Sequence, residues 1–118
     1  MSSYGCVRPP AYVRDCIIRN DSDGHVQIRL IYESSPEDNN STSHSVVHLG
    51  QGQIHRVDEK IVDHGSWTAV QPLQRIEVTR SDGQTMHLAA PFEGVNTVVR
   101  NWLFVIENGT IKSTGRSS

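Results

Sequence analysis

Apolar and polar residues alternate along several short stretches of the chain, most clearly in HVQIRLIYE at positions 25–33. As a strand, this stretch would place four side chains on one face: Val26, Ile28, Leu30 and Tyr32. A period of two over this length is typical of a half-buried β-strand. The preceding run YVRDCIIR, at 12–19, predicts its partner, because the NDSDG stretch at 20–24 has the composition of a tight turn. The pattern therefore predicts a first hairpin.

A second hairpin is predicted around the SDG turn at 81–83, because a short loop ending in glycine commonly joins antiparallel strands. Apolar residues recur at every second position on both sides of this turn: Ile76, Val78, Met86, Leu88 and Ala90. Polar residues lie between them and are expected to face water: Glu77, Thr79, Thr85 and His87. The alternation indicates one buried and one solvated face.

The segment at 95–112, VNTVVRNWLFVIENGTIK, fits either a helix or strands. A helix would gather one apolar stripe: Val95, Val98, Val99, Trp102, Leu103 and Ile106. Phe104 and Val105 break that stripe, and the Asn-Gly pair at 108–109 is typical of a hairpin turn. We therefore favour a central strand over 98–106 that is buried on both faces. Such a strand has to be covered twice, which makes a homodimer a hypothesis.

Further short runs bounded by Gly, Asp or Ser complete the pattern, at 44–49, 53–57, 59–64 and 66–70. About seven to eight short strands at this spacing predict an all-β fold, an antiparallel β-sandwich or a partly closed barrel. There is no alternation of strands and helices that would indicate a parallel α/β sheet. We expect one domain over residues 1–118, with frayed termini and a mobile, wholly polar loop near 34–43.

The charge of the chain excludes some classes of partner. Eleven basic and 13 acidic residues give a net charge of -2, and no basic run exists that could neutralise nucleic-acid phosphates. Only two lysines are present, Lys60 and Lys112, so an electrostatic membrane patch is disfavoured. We expect a cytoplasmic protein with both cysteines reduced and Cys16 in the core, since the N-terminal residues lack the apolar stretch of a signal peptide.

The first candidate site is a stretch rich in histidine, between residues 44 and 64. Four imidazoles lie in it: His44, His48, His55 and His64. Zinc and non-haem iron accept imidazole and carboxylate ligands, so a divalent metal is the one cofactor that the sequence suggests. The spacing matches no established metal motif, and histidines on polar strand faces are the alternative interpretation.

Catalysis without a metal is disfavoured, and we assign no catalytic residue. Ser66 follows Asp63 and His64 closely enough to suggest a relay. Neighbouring residues on a strand point to opposite faces, however, so the aspartate and the histidine could not form one there.

A second candidate site combines loop aspartates with a tryptophan. Asp21, Asp23 and Asp82 lie in the two predicted turns and could supply oxygen ligands to calcium if those turns meet at one end of the sandwich. Trp67 follows a Gly-Ser pair and could be an exposed anchor or part of the core. Turn formation alone also explains the aspartates.

From the sequence we expect a non-catalytic, intracellular β-sandwich module that binds a protein partner through an exposed strand edge or one end of its loops. The alternatives are a histidine-based metal-binding protein or enzyme, and a calcium-dependent membrane-binding module resembling a C2 domain.

Overall fold

The structure is a computed structural model that describes residues 11–33, 43–63, 65–66 and 68–116. The described residues form twelve strands and no helix: β1 Tyr12–Val13, β2 Cys16–Asn20, β3 Val26–Tyr32, β4 Ser43–Leu49, β5 Ile54–Val57, β6 Lys60–Asp63, β7 Thr68–Gln71, β8 Leu73–Arg80, β9 Thr85–Ala89, β10 Val98–Val99, β11 Trp102–Ile106 and β12 Ile111–Arg116. No helix in this part of the chain is long and apolar enough to cross a membrane. Cys6, the predicted frayed N-terminus and residues 34–42 of the predicted 34–43 loop lie outside the described residues. The C-terminal stretch 112–118 was also predicted to be frayed, but its residues 112–116 belong to β12.

Two four-stranded sheets dominate the fold. The first sheet has the order β12-β11-β2-β5 and the second has the order β4-β3-β8-β9. Two smaller pairs accompany them, a parallel one between β1 and β10 and an antiparallel one between β6 and β7. The predicted all-β, sandwich-like fold is confirmed, and the described strands do not close into a barrel. The first sheet is mixed, because β2 pairs with β11 in parallel.

The second predicted hairpin is confirmed. Strands β8 and β9 pair with Ile76 opposite Leu88 and Val78 opposite Met86. Gly83 in the connecting turn has a φ of 91°, a left-handed conformation that glycine adopts without strain. The alternation therefore sets both the pairing and the buried face.

The first predicted hairpin is wrong, because β2 and β3 belong to different sheets. Residues 21–25 carry the chain from one layer to the other. Asn20 and Ser22 are fully buried, and the Asn20 side-chain nitrogen donates to the carbonyl oxygens of Gly24 at 2.9 Å and Leu49 at 3.1 Å. This polar connection is satisfied inside the protein, where a hairpin turn would be solvated.

The C-terminal segment is extended, as predicted, but 98–106 is two strands. The break falls at Arg100 and Asn101, where Asn101 has a φ of 57° and its N–H donates to Asp15 Oδ1 at 2.6 Å. Strand β11 then runs inside the first sheet, where Phe104 is fully buried. Its hairpin with β12 confirms the Asn-Gly turn.

One apolar core lies between the two sheets. Its most deeply buried large side chains come from both: Ile18, Phe104 and Ile106 from the first, Ile28, Leu30 and Ile76 from the second. The ring of Phe92 meets that of Phe104 edge-on with centroids 5.0 Å apart. Cys16 is a free thiol in this core, and its burial raises its pKa to about 12.

Candidate functional site

A cleft opens where the two sheets end side by side. Its volume is about 500 Å³, and it lies between β9, the edge of the second sheet, and β12, the edge of the first. Nine residues line it: Leu88, Glu93, Gly94, Trp102, Thr110, Ile111, Lys112, Ser113 and Thr114. Clefts of this size accommodate a small molecule or a few residues of a peptide.

The floor of the cleft is the indole of Trp102, which is held by two hydrogen bonds in series. Its Nε1 donates to Ser113 Oγ at 2.8 Å, and that hydroxyl donates to the carbonyl oxygen of Glu93 at 2.6 Å. Gly94, at a φ of 86°, lies against the ring, because a Cβ there would come within 3.3 Å of it. The floor is thus a fixed apolar surface with no free polar atom on the indole.

The rim of the cleft is polar and carries both signs of charge. Glu93 and Lys112 are exposed, and Lys112 Nζ lies 3.1 Å from Glu107 Oε1. Thr114 Oγ1 donates to the carbonyl oxygen of Leu103 at 2.9 Å, at the point where the β11–β12 register shifts. This combination of apolar floor, polar rim and adjacent strand backbone suits an extended peptide.

The structure separates the described histidines of the predicted metal site. His44 and His48 lie on the exposed face of β4, and four residues along a strand separate two Cα atoms by about 13 Å. His55 is half-buried on β5, in the other sheet. No three His, Cys, Asp or Glu residues of the described chain are placed to hold one metal ion. His64 lies outside the described residues, so the four-histidine site stays a prediction.

The predicted calcium ligands are only partly brought together. Asp23 forms an ion pair with Arg80, whose Nη1 is also 3.9 Å from Asp82 Oδ2. Asp21 forms a separate ion pair with Arg19, in which Arg19 Nε lies 3.0 Å from Asp21 Oδ1. Guanidinium groups thus neutralise the carboxylates that calcium would need. The calcium site also stays a prediction.

Trp67 lies outside the described residues, so its choice between anchor and core stays a prediction. The neighbouring Asp63 accepts a hydrogen bond from the N–H of Gly65 at 2.8 Å. This carboxylate is engaged in the turn between β6 and β7.

The sequence did not predict an ion-pair network around the buried Asp15. Asp15 is 5% exposed and lies 3.3 Å from Arg100, which is 3.4 Å from Glu59. Glu59 also accepts from Arg14, and this hydrogen bond raises the pKa of the Arg14 guanidinium. The only sequence sign is a charged pair inside the apolar run YVRDCIIR. The network links the connection between β1 and β2 to the connection between β10 and β11. Each of its charged groups is paired with another group of the network.

The sequence did not predict the cleft either, because its residues come from four separate stretches of the chain, 88, 93–94, 102 and 110–114. Comparisons of the chain with protein-family models, with curated proteins and with solved structures find no match.

Proposed function

We propose that this chain is a non-catalytic, intracellular module that binds an extended segment of a partner protein in the cleft between β9 and β12. The observation that carries the proposal is the position of the cleft. It exposes a fixed apolar floor beside an edge strand that, among the described residues, pairs on one side only.

Strand addition supplies a physical basis for such binding. A peptide laid along β12 would form main-chain hydrogen bonds with the unpaired side of that strand. Because side chains alternate along an extended peptide, every second one would point to the floor formed by Leu88, Trp102 and Ile111. Glu93 and Lys112 at the rim would select charges on the flanking peptide residues.

The chemistry of the cleft supports binding over catalysis. The hydroxyl of Ser113 is already used as acceptor by Trp102 and as donor to the Glu93 carbonyl, so its proton is committed. The compartment is argued from Cys16, whose free and buried thiol is compatible with a reducing environment.

The proposal predicts that a library of random peptides displayed on phage yields binders with an apolar residue at a fixed position. Chemical-shift mapping with a synthesised binder should perturb the Trp102 indole N–H and the amides of 110–114. Leu88→Gln should weaken this binding about tenfold or more, because it removes apolar floor area.

His87→Gln is the matched control, since His87 is the exposed neighbour of Leu88 on the opposite face of β9. It should leave affinity unchanged. Failure to enrich any peptide would overturn the proposal, and so would binders that are indifferent to Leu88→Gln.

A further inference from the structure

The second sheet ends at β4, which is the longest of the four edge strands of the two large sheets. All seven residues of Ser43–Leu49 pair with β3 in one continuous antiparallel register, without a bulge. Among the described residues, no strand pairs with the other side of β4. Its outer backbone groups are therefore available for pairing with another chain.

Strand β4 lacks the features by which natural proteins keep such edges from pairing. Charged side chains, proline, bulges and short length are the usual ones. The sequence of β4, SHSVVHL, contains no proline, no glycine, and no lysine, arginine, aspartate or glutamate.

The three other edges each have at least one protecting feature. Strand β5 is four residues long and exposes Arg56. Strand β12 has a register shift, exposed Lys112 and a glycine, Gly115, at a φ of 128°. Strand β9 is five residues long and contacts β12 across the cleft. The contrast indicates that, of these four edges, β4 is the one suited to continuous pairing with an identical edge over its whole length.

The exposed face of β4 is nearly symmetric about its centre. It carries His44, Val46 and His48, and Val46 is 47% exposed. If a second copy pairs antiparallel about Val46, each Val46 lies opposite the other. His44 then lies opposite the second copy's His48, and the reverse pair is identical. A two-fold interface requires this kind of self-complementarity.

The charges near β4 are compatible with a second copy. The residue paired with Val46 on β3 is Arg29, which is itself paired with Glu77 on β8 in the same cross-strand row. The Arg29 Nη1 lies 3.8 Å from the Glu77 Oε1. The nearest charged groups in that row thus neutralise each other, and no like charges face one another across the proposed contact. A valine facing a valine across strands is a favourable β-branched pair.

We propose that two copies of this chain associate through β4, in an antiparallel pair centred on Val46 that joins their second sheets into one continuous eight-stranded sheet. This surface is separate from the cleft between β9 and β12. A dimer formed here would leave both clefts open to a partner.

Two double variants of the full chain test both the surface and its register. His44→Glu/His48→Glu places glutamate opposite glutamate twice, so the dissociation constant of the dimer should rise about tenfold or more. His44→Glu/His48→Lys places each introduced glutamate opposite the second copy's introduced lysine, so the dimer should persist. Size-exclusion chromatography with light scattering, from low to high micromolar concentration, measures both.

The control is Thr85→Glu/His87→Glu, which adds the same charge to the exposed face of β9 and should remain dimeric. Circular dichroism establishes that each variant is folded, which is expected because every substituted side chain is exposed. A wild-type chain that stays monomeric would overturn the proposal, as would a dimer that tolerates the two glutamates on β4. Dissociation of both β4 variants would contradict the antiparallel register.

Discussion

The two open sides of the sandwich end in different ways. At one side, β4 runs straight for seven residues and carries no charge. At the other side, β12 is bulged and β9 is short. These two edge strands flank a cleft with Trp102 at its floor. A straight edge presents mainly backbone, which an identical edge can match. A cleft presents side chains, which can discriminate between partners.

The difference arises from what fixes each side. At the β4 side, a short connection joins β4 to β5. In this connection the Gly52 N–H donates to the Asn20 carbonyl oxygen at 2.7 Å. The cleft side is spanned by the longer segment 90–97, in which Gly94 lies against the indole and the Glu93 carbonyl oxygen accepts from Ser113 Oγ. The first side therefore depends on a buried polar turn, and the second on an aromatic side chain.

Replacing Trp102 should have the largest effect on stability, because its side chain fills the cleft side of the sandwich. Trp102 is 7% exposed, so Trp102→Ala should lower the free energy of unfolding by about 3–5 kcal/mol. Val46→Ala on β4 should cost less than about 0.5 kcal/mol, because that side chain is half exposed. Urea unfolding at a concentration too low for association measures both. Comparable losses for the two variants would mean that both sides depend equally on core burial.

Replacing Asn20 tests the polar turn on the β4 side. Its side chain donates to two carbonyl oxygens and its Oδ1 accepts from the Ser22 N–H at 3.0 Å, and the bonds to Leu49 and Ser22 are buried. Asn20→Ala removes a buried partner from the Leu49 carbonyl and from the Ser22 N–H, while the Gly24 carbonyl keeps the Ser22 hydroxyl at 3.2 Å. We therefore expect a loss of about 2–4 kcal/mol in the same urea experiment.

Asn108→Ala is the control for this prediction, because Asn108 accepts from the Asp23 N–H at 2.8 Å but is exposed. Water can replace that bond, and the cost should stay below about 1 kcal/mol. Equal losses for the two asparagines would show that the buried turn does not hold the β4 side.

Local patterns predicted the strands well, and their partners less well. The period of two in β3, β8 and β9 identifies strands because each lies with one face on the core. The pairing of β8 with β9 follows from a solvated turn of three residues. The error at β2 and β3 has a physical reason. The NDSDG composition suits a hairpin or a connection between layers, and only the burial of Asn20 and Ser22 decides between them.

The candidate sites were the least predictable part. His44 and His48 share a face, as the spacing indicated, but the rise along a strand keeps them apart, and His55 lies in the other sheet. The cleft assembles Leu88, Glu93 and Ser113 at the meeting of two sheet edges. Sheet order sets this meeting, and no local pattern encodes it.

A pH-dependent effect is predicted for Cys16, which lies between the two sides, paired with Trp102 on β11 and with Val57 on β5. Burial raises its pKa to about 12 from an ordinary value of 9.0. Above pH 9 the unfolded thiol therefore loses its proton while the folded thiol keeps it, and the free energy of unfolding falls as the pH rises. Between pH 9 and pH 10 this loss should be about 1 kcal/mol.

Urea unfolding at pH 8, 9 and 10 would measure this loss, and Cys16→Ala should lack it. Burial also raises the pKa of Tyr32, so Tyr32→Phe serves as the parallel control for phenol ionisation in the same range. Because Cys16 belongs to the core that both sides share, Val46→Ala should keep the full alkaline loss. An alkaline loss that persists unchanged in Cys16→Ala would contradict its assignment to this thiol, and one that disappears with Val46→Ala would place its origin at the β4 edge.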